Sequence, residues 1–428
     1  MNKKTYDHID ETLYKEVLPN GLTVFLLPRP EMAKTYSVFT TNYGGKDHTF
    51  IPLGKNEKIT APEGVAHFLE HKLFEKEDGT DVFLDFGKQG ASANAYTSAT
   101  ETAYLFSATD HIKENVVTLL DFVQEPFFTD ESVEREQDII VQELQMYLDQ
   151  ADHRSYMGIL QAMFKEHPVR NEILGTEESI RSTTREDLLT SYHTFYHPNN
   201  MTFFIAGNFD VEEMATLIRE NQAAKTFAAP EDIQRFPVKE SKEVAKKESR
   251  IHMPIGTPKV VVGVKEYGEK ISTEEFEHRD MLQDMIISHF FGANGPLYKE
   301  LYENGYIDRS FSVQSTIETD HGFTILSGNS DQPDVLAGKV KELLLSTNDY
   351  EISEESFDRM KKKRIGQLLR AMNSLEFIAG EFVHYHMNDL DFFDVLPKIQ
   401  ELTLEEVNTY IQEWITEEQL AVCIVESE

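Results

Sequence analysis

The sequence predicts an α+β chain built from two homologous domains, and three observations carry that expectation. Segments rich in β-branched and aromatic residues recur at "LTVFLLP", "TYSVFTTNY", "NAYTSATETAYLFSA" and "MTFFIAGNF", with amphipathic helical stretches between them. A faint internal repeat aligns "TREDLLTSYHTFYHPNNMTFFI" (184–205) with "TLEEVNTYIQEWITEEQLAVCI" (403–424) without gaps, and both read as helix, turn, strand. Between them the pattern breaks into a charged stretch with two prolines before strand character resumes at "PKVVVGVKE". The expected domains are residues 1–225 and 250–428, joined by a linker at 226–249.

In chain order, the early strands are followed by a helix through "APEGVAHFLEHKLFEK" (61–76), where His67, Glu70 and His71 share one face because positions i, i+3 and i+4 are neighbours on a helix. That is a metal-site geometry or an unusually polar helix face. The glycines of "FGKQGAS" suit a turn, since no helix-opening phosphate-loop pattern follows them. The strand "NAYTSATETAYLF" alternates small polar and aromatic residues, which suits backbone pairing with an extended peptide. A second helix runs through "ESVEREQDIIVQELQMYLDQ" (131–150) and sets Glu136 and Glu143 two turns apart on the stripe of Ile140 and Tyr147. A catalytic zinc takes three protein ligands, so two helical histidines need one donor from another helix, and these glutamates are the candidates.

Composition removes several function classes. With 41 basic and 75 acidic residues the formal charge is −34, which repels nucleic-acid phosphates and anionic lipid. No segment reaches 18 apolar residues and the N-terminus has no secretory apolar run, so the expectation is a cytoplasmic protein with no membrane partner. The single cysteine, Cys423, sits in the apolar run "LAVCIVE", which excludes an internal disulfide framework and implies a buried, inert thiol. A metal site must then use histidine and carboxylate.

"HFLEH" followed by "REQDIIVQE" resembles the inverted-motif zinc peptidases, the family of pitrilysin, insulysin and the mitochondrial processing peptidases. The resemblance extends to "GASANAYTSATETAYLF", "HPVRNEILGTEESI" and "YHPNNMTFFIAGNFD", and so covers nearly the whole chain. It implies largely antiparallel mixed sheets packed with helices, in a half-clamshell arrangement. It also implies one Zn2+ per chain on His67, His71 and Glu143, with Glu70 as general base and Glu136 orienting a ligand. The substrate would be a peptide or unfolded segment lying along the strand of Asn94 and Ala95. Many relatives carry Arg and then Tyr, seven residues on, in the second domain. Aligned on "KELYENGYIDRSFS", those positions hold Tyr302 and Arg309 in inverted order, which points to a dimer in which a paralogue or a second copy supplies the pair.

Two other readings stand beside a zinc endopeptidase: a noncatalytic subunit of a paired peptidase, and a zinc hydrolase acting on something other than peptides. His193 and His197, and His384 and His386, also have ligand-like spacings. Neither pair has a carboxylate at a comparable position, so both are read as structural.

Overall fold

A computed structural model describes residues 1–427. The chain folds as α+β around two large mixed sheets. The first has seven strands, which we number β1 (Asn2–Tyr6), β2 (Glu11–Val17), β3 (Thr23–Pro28), β4 (Thr35–Thr41), β5 (Ser92–Thr97), β6 (Thr102–Ala108) and β7 (Met201–Gly207). Their order is β1-β2-β3-β7-β4-β6-β5, with β3 and β7 parallel and every other pair antiparallel. The second sheet is formed by β8 (Glu248–His252), β9 (Lys259–Tyr267), β10 (Ser312–Ile317), β11 (Gly322–Asn329) and β12 (Leu420–Glu426). Its order is β8-β12-β9-β11-β10, again with a single parallel pair at β8 and β12.

Removing the β1–β2 hairpin leaves two sheets of one topology, so the faint repeat in the sequence is a duplicated fold. Helices repeat as well. Those that position the site are α1 (Val65–Leu73), α2 (Asp130–Leu148), α3 (Ala151–Met163) and α4 (Arg185–Phe195) in the first half. Their counterparts in the second are α5 (Thr273–Phe290), α7 (Glu354–Ala371), α8 (Leu375–Met387) and α9 (Leu404–Glu413), with a short helix α6 (Pro296–Glu303) following α5. In the first half α1 lies against α2, α4 and β5, and in the second α5 lies against α7, α9 and β10. The repeated segments each enter through a threonine-capped helix, at Thr184 and Thr403, whose hydroxyl accepts a backbone N–H from the third helical residue.

The two halves exchange a helix. α3 leaves the first half and covers β8, β9 and β12, while α8 leaves the second half and covers β4 and β7. On α3 the contact is tight enough to require glycine: a Cβ on Gly158 would stand 2.6 Å from Cys423 Sγ and 2.8 Å from Ile251 Cδ1. Cys423 is fully buried there, and burial pushes its thiol up to about 11, so it is inert at neutral pH. On the other side Phe382 of α8 meets Phe25 and Phe204 with ring centroids 4.7 and 5.0 Å apart.

The stretch 226–249 is pinned rather than slack. Gln234–Arg235 pairs with Phe50–Ile51, β8 already opens at Glu248, and Glu240 is buried with its carboxylate on Lys265 Nζ at 2.6 Å. Charge and proline make this segment look solvated, whereas its central glutamate neutralises a lysine buried in β9. No helix among the described residues is long and apolar enough to cross a membrane.

The exchange makes a stability prediction. Gly158→Val should overpack the α3 contact and destabilise the chain by about 1–3 kcal/mol, read as a lowered denaturant midpoint. Gly338→Val, at a helical glycine with open space around its Cβ, should leave the midpoint unchanged or slightly raised, since valine has the better helix propensity. Equal midpoints for the two variants would show that the contact is not tight.

Candidate metal centre

The centre is built where α1 crosses α2. α1 starts at Gly64, whose φ of 90° and approach to the Leu174 carbonyl, 2.1 Å from where a Cβ would sit, both require glycine. Gly175 makes the reciprocal approach to the Glu63 carbonyl, so the "ILGT" segment seats the first turn of α1. The Asn171 amide donates to Glu63 Oε1 at 2.8 Å and closes the same junction. α2 is entered through Thr129, in a reciprocal cap with Ser132.

The two helices bring His67, His71 and Glu143 together, with one ligand atom from each within 4.8 Å of the others. His71 Nε2 stands 3.3 Å, and His67 Nε2 3.8 Å, from Glu143 Oε2. Behind His71, its Nδ1 lies 2.9 Å from Glu136 Oε1. A carboxylate only accepts, so that bond places the ring proton on Nδ1 and turns the Nε2 lone pair towards Glu143. Glu143 Oε2 is itself buried and takes no well-formed hydrogen bond. An orphaned carboxylate oxygen faced by two imidazole nitrogens is a donor set for a cation, and two His with one Glu is a zinc set. The residues present therefore fit that metal.

Electrostatics agree with the geometry. Burial and the neighbouring His71 hold His67 down at about 4, so it is neutral and keeps a lone pair. At His71 burial works downwards too, but the hydrogen bond to Glu136 and the close Glu143 carboxylate outweigh it and raise the ring to about 9. Without metal the ring therefore carries a second proton, on Nε2 facing Glu143, and loss of that proton frees the lone pair for a cation. The His71 contact lowers Glu143 against an opposing burial effect.

Glu70 lies beside this trio and outside it. Thr97 Oγ1, at the end of β5, donates to Glu70 Oε2 at 2.5 Å, while burial raises the Glu70 carboxyl above its ordinary value. Thr97 was not among the residues singled out from the sequence, although it stands within the "NAYTS" segment that drew attention to Asn94 and Ala95. β5 is an edge strand with one free backbone side. Asn94 is exposed on one face of it, and Ala95 is half-buried on the other against the α1 core.

Tyr302 and Arg309 are elsewhere. Both are exposed on the second half, at α6 and the turn after it, with Tyr302 stacked on Tyr298 at 5.9 Å. Among the described residues no hydrogen bond or ion pair links either to the metal centre.

A second trio, His167, Asp320 and His321, is equally compact but differs in its protons. His167 Nδ1 accepts the Val169 N–H at 3.1 Å, so its proton sits on Nε2, facing Asp320. Asp320 accepts from Lys46 Nζ at 2.7 Å and from His321 Nδ1 at 2.8 Å. A lysine ammonium already serves as the cation, and no lone pair is turned inwards. Likewise His197 accepts the Asn199 N–H on Nδ1 and faces the Ala228 carbonyl with Nε2, and His386 lies on the Phe25 ring. These are structural histidines.

Comparison with known proteins agrees with this architecture. Residues 50–177 match the insulinase family of peptidases, M16, and residues 182–364 match the M16 inactive domain. The chain is 47% identical to the uncharacterized zinc protease YmfH of Bacillus subtilis, over 98% of each protein. It superimposes on an M16-like peptidase structure from Alicyclobacillus acidocaldarius with a TM-score of 0.93 at 40% identity, covering 98% of this chain and 99% of that one. Against the periplasmic protease PqqL of Escherichia coli the TM-score is 0.72 at 17% identity, with 100% of this chain lying on 48% of the longer one, a likeness of fold alone. The chain therefore belongs to peptidase family M16, the insulinase or pitrilysin family of zinc proteases, as a half-length member.

Proposed function

We propose that this chain is a zinc endopeptidase in which His67, His71 and Glu143 hold the metal and Glu70 is the general base. What supports this most is the convergence of the His67 and His71 nitrogens on the unpartnered Glu143 oxygen, with the His71 tautomer set by Glu136. A bound zinc would supply a Lewis acid there, acidifying a water and polarising the scissile carbonyl. Glu70 is placed to take the proton of the attacking water and return it to the leaving amide nitrogen. Thr97 fixes the Glu70 carboxylate in that position and leaves one oxygen free. Glu136 keeps His71 in its ligating tautomer. An extended peptide is held by pairing with the free edge of β5, Asn94 reaching it through its side-chain amide and the small Ala95 allowing close approach.

The exposure of Tyr302 and Arg309 and their inverted order favour a dimer in which a paralogous or identical subunit contributes the substrate-clamping pair. The alternative of a noncatalytic subunit has against it the intact set of His67, Glu70, His71 and Glu143.

Three results follow. Purified or zinc-reconstituted protein should hold about one zinc per chain, lost in His67→Ala, His71→Ala or Glu143→Ala. Glu136→Gln should weaken zinc binding about 10–100-fold; metal analysis that finds none in the unaltered chain would refute the ligand set. Glu70→Gln should retain zinc while peptide cleavage falls at least about a hundredfold, and near-normal cleavage would remove Glu70 from the mechanism. With a partner supplying the clamp, Tyr302→Phe and Arg309→Ala should each change turnover less than about tenfold. Strong cleavage by the isolated chain, abolished by Arg309→Ala, would overturn the partner arrangement.

A further inference from the structure

The second half has its own version of the crossing that builds the metal centre, because α5 packs on α7 as α1 packs on α2. A cavity of about 240 Å³ opens at that crossing, lined by Ser288, His289, Asn294, Arg359, Lys363 and Arg364 among others. Its chemistry is reversed. Where α2 presents Glu136 and Glu143, α7 presents Arg359, Lys363 and Arg364.

The charge is unusual for this chain. Residues 359–370, "RMKKKRIGQLLR", contain six basic residues and no acid, in a protein of formal charge −34. The acids at the cavity are already engaged: Asp284 is ion-paired with Arg364, and the one carboxylate on Arg359 is the exposed Glu355 of its own helix. Such an exposed pair is worth little. Lys363 Nζ donates to Ser288 Oγ at 2.6 Å and, among the described residues, meets no carboxylate. Among the other lining groups the Asn294 and Gln367 amides and the Ser356 hydroxyl can donate hydrogen bonds, and Ser356 Oγ accepts one from Arg359 at 2.9 Å. His289 reports the field inside, since burial and the Arg359 and Lys363 cations hold its imidazole below the ordinary value. A solvated basic helix face would scatter its cations; here they surround a concavity furnished with neutral donors.

We propose that this cavity binds an oxyanion, a phosphate or a carboxylate, between Arg359 and Lys363. The ligand is either a free phosphate compound or the C-terminal carboxylate of a peptide, both of which present anionic oxygens to an arginine fork and an ammonium. The proposal does not depend on peptidase activity.

The test is calorimetric titration of the full chain at fixed ionic strength with inorganic phosphate, inorganic pyrophosphate, and one short peptide carrying either a free or an amidated C-terminus. Saturable binding is expected, weakened at least about tenfold in Arg359→Met/Lys363→Met. It should be unchanged in Lys362→Met, which alters the same helix outside the cavity. Both sites are exposed, and equal melting temperatures without ligand will show that the fold is kept. Binding of phosphate or pyrophosphate with no effect of amidation assigns the site to a phosphate compound. Tighter binding of the free-acid peptide than of its amide, lost in the double variant, assigns it to a peptide carboxylate. No saturable binding of any probe, or equal weakening by Lys362→Met, overturns the proposal.

Discussion

The constraint on which this molecule depends is the exchange of α3 and α8 between its halves. Each sheet buries one face against a helix that the other half supplies, so neither half can complete its core alone. The dependence reaches the metal centre through the chain itself, since only Asp149 and Gln150 separate α2, which carries Glu143, from α3. The position of Glu143 is thus fixed at one end by its crossing with α1 and at the other by a helix clamped to the second sheet. Just beyond α3, the backbone N–H groups of Lys165, Glu166 and His167 all donate to Glu240 Oε2, and the other oxygen of that carboxylate takes Lys265 Nζ. The charge pair is almost wholly excluded from water, at 0% and 1% side-chain exposure, and removing one partner of such a pair is strongly destabilising. It fixes where α3 ends.

How much of this is legible in the sequence depends on the range of the interactions. The candidate metal residues are legible in part because their spacing is local, His67, Glu70 and His71 on one helical turn and Glu136 and Glu143 two turns apart, whereas the choice of Glu143 as third ligand comes from the resemblance to the family. The repeated helix, turn and strand are legible for the same reason, each marked by its threonine cap and its apolar strand. The helix exchange is not, because amphipathic periodicity shows that α3 has an apolar face and not which sheet will cover it. Gly158 marks the place, yet its meaning appears only when Cys423 is brought against it. The segment 226–249 misleads in a similar way. Glu240 reads as one more solvated acid until Lys265, inside an apolar strand, supplies its partner.

Protons separate the two histidine clusters where composition does not. The trio of His67, His71 and Glu143 and that of His167, Asp320 and His321 are alike in residue type and compactness. They differ in what lies behind each ring: a carboxylate behind His71 directs its lone pair inwards, whereas a backbone N–H beside His167 directs a proton inwards. The second cluster accordingly carries Lys46 as its cation. A motif scan weighs ligands, while the function of a histidine is set by the partner of its other nitrogen.

Duplication explains why one molecule can hold both arrangements. Two copies of a fold present two equivalent helix crossings, and only one needs to keep the metal residues. At the other, the crossing of α5 and α7 keeps the backbone geometry and takes the opposite charge, with Arg364 on Asp284 and Lys363 on Ser288. At the crossing of α5 and α7 the divergence is confined to positions outside the core, since Met285 and Met360 are buried core residues whereas Arg359 and Lys363 are exposed. Substitutions at those exposed positions therefore change the electrostatics of a surface cavity without disturbing the buried contacts of Phe357, Met360 and Leu368 on the same helix. In the first half the crossing is itself part of the core, with His67 buried beside Phe68 and Leu69, and α3 holds the end of α2 in place.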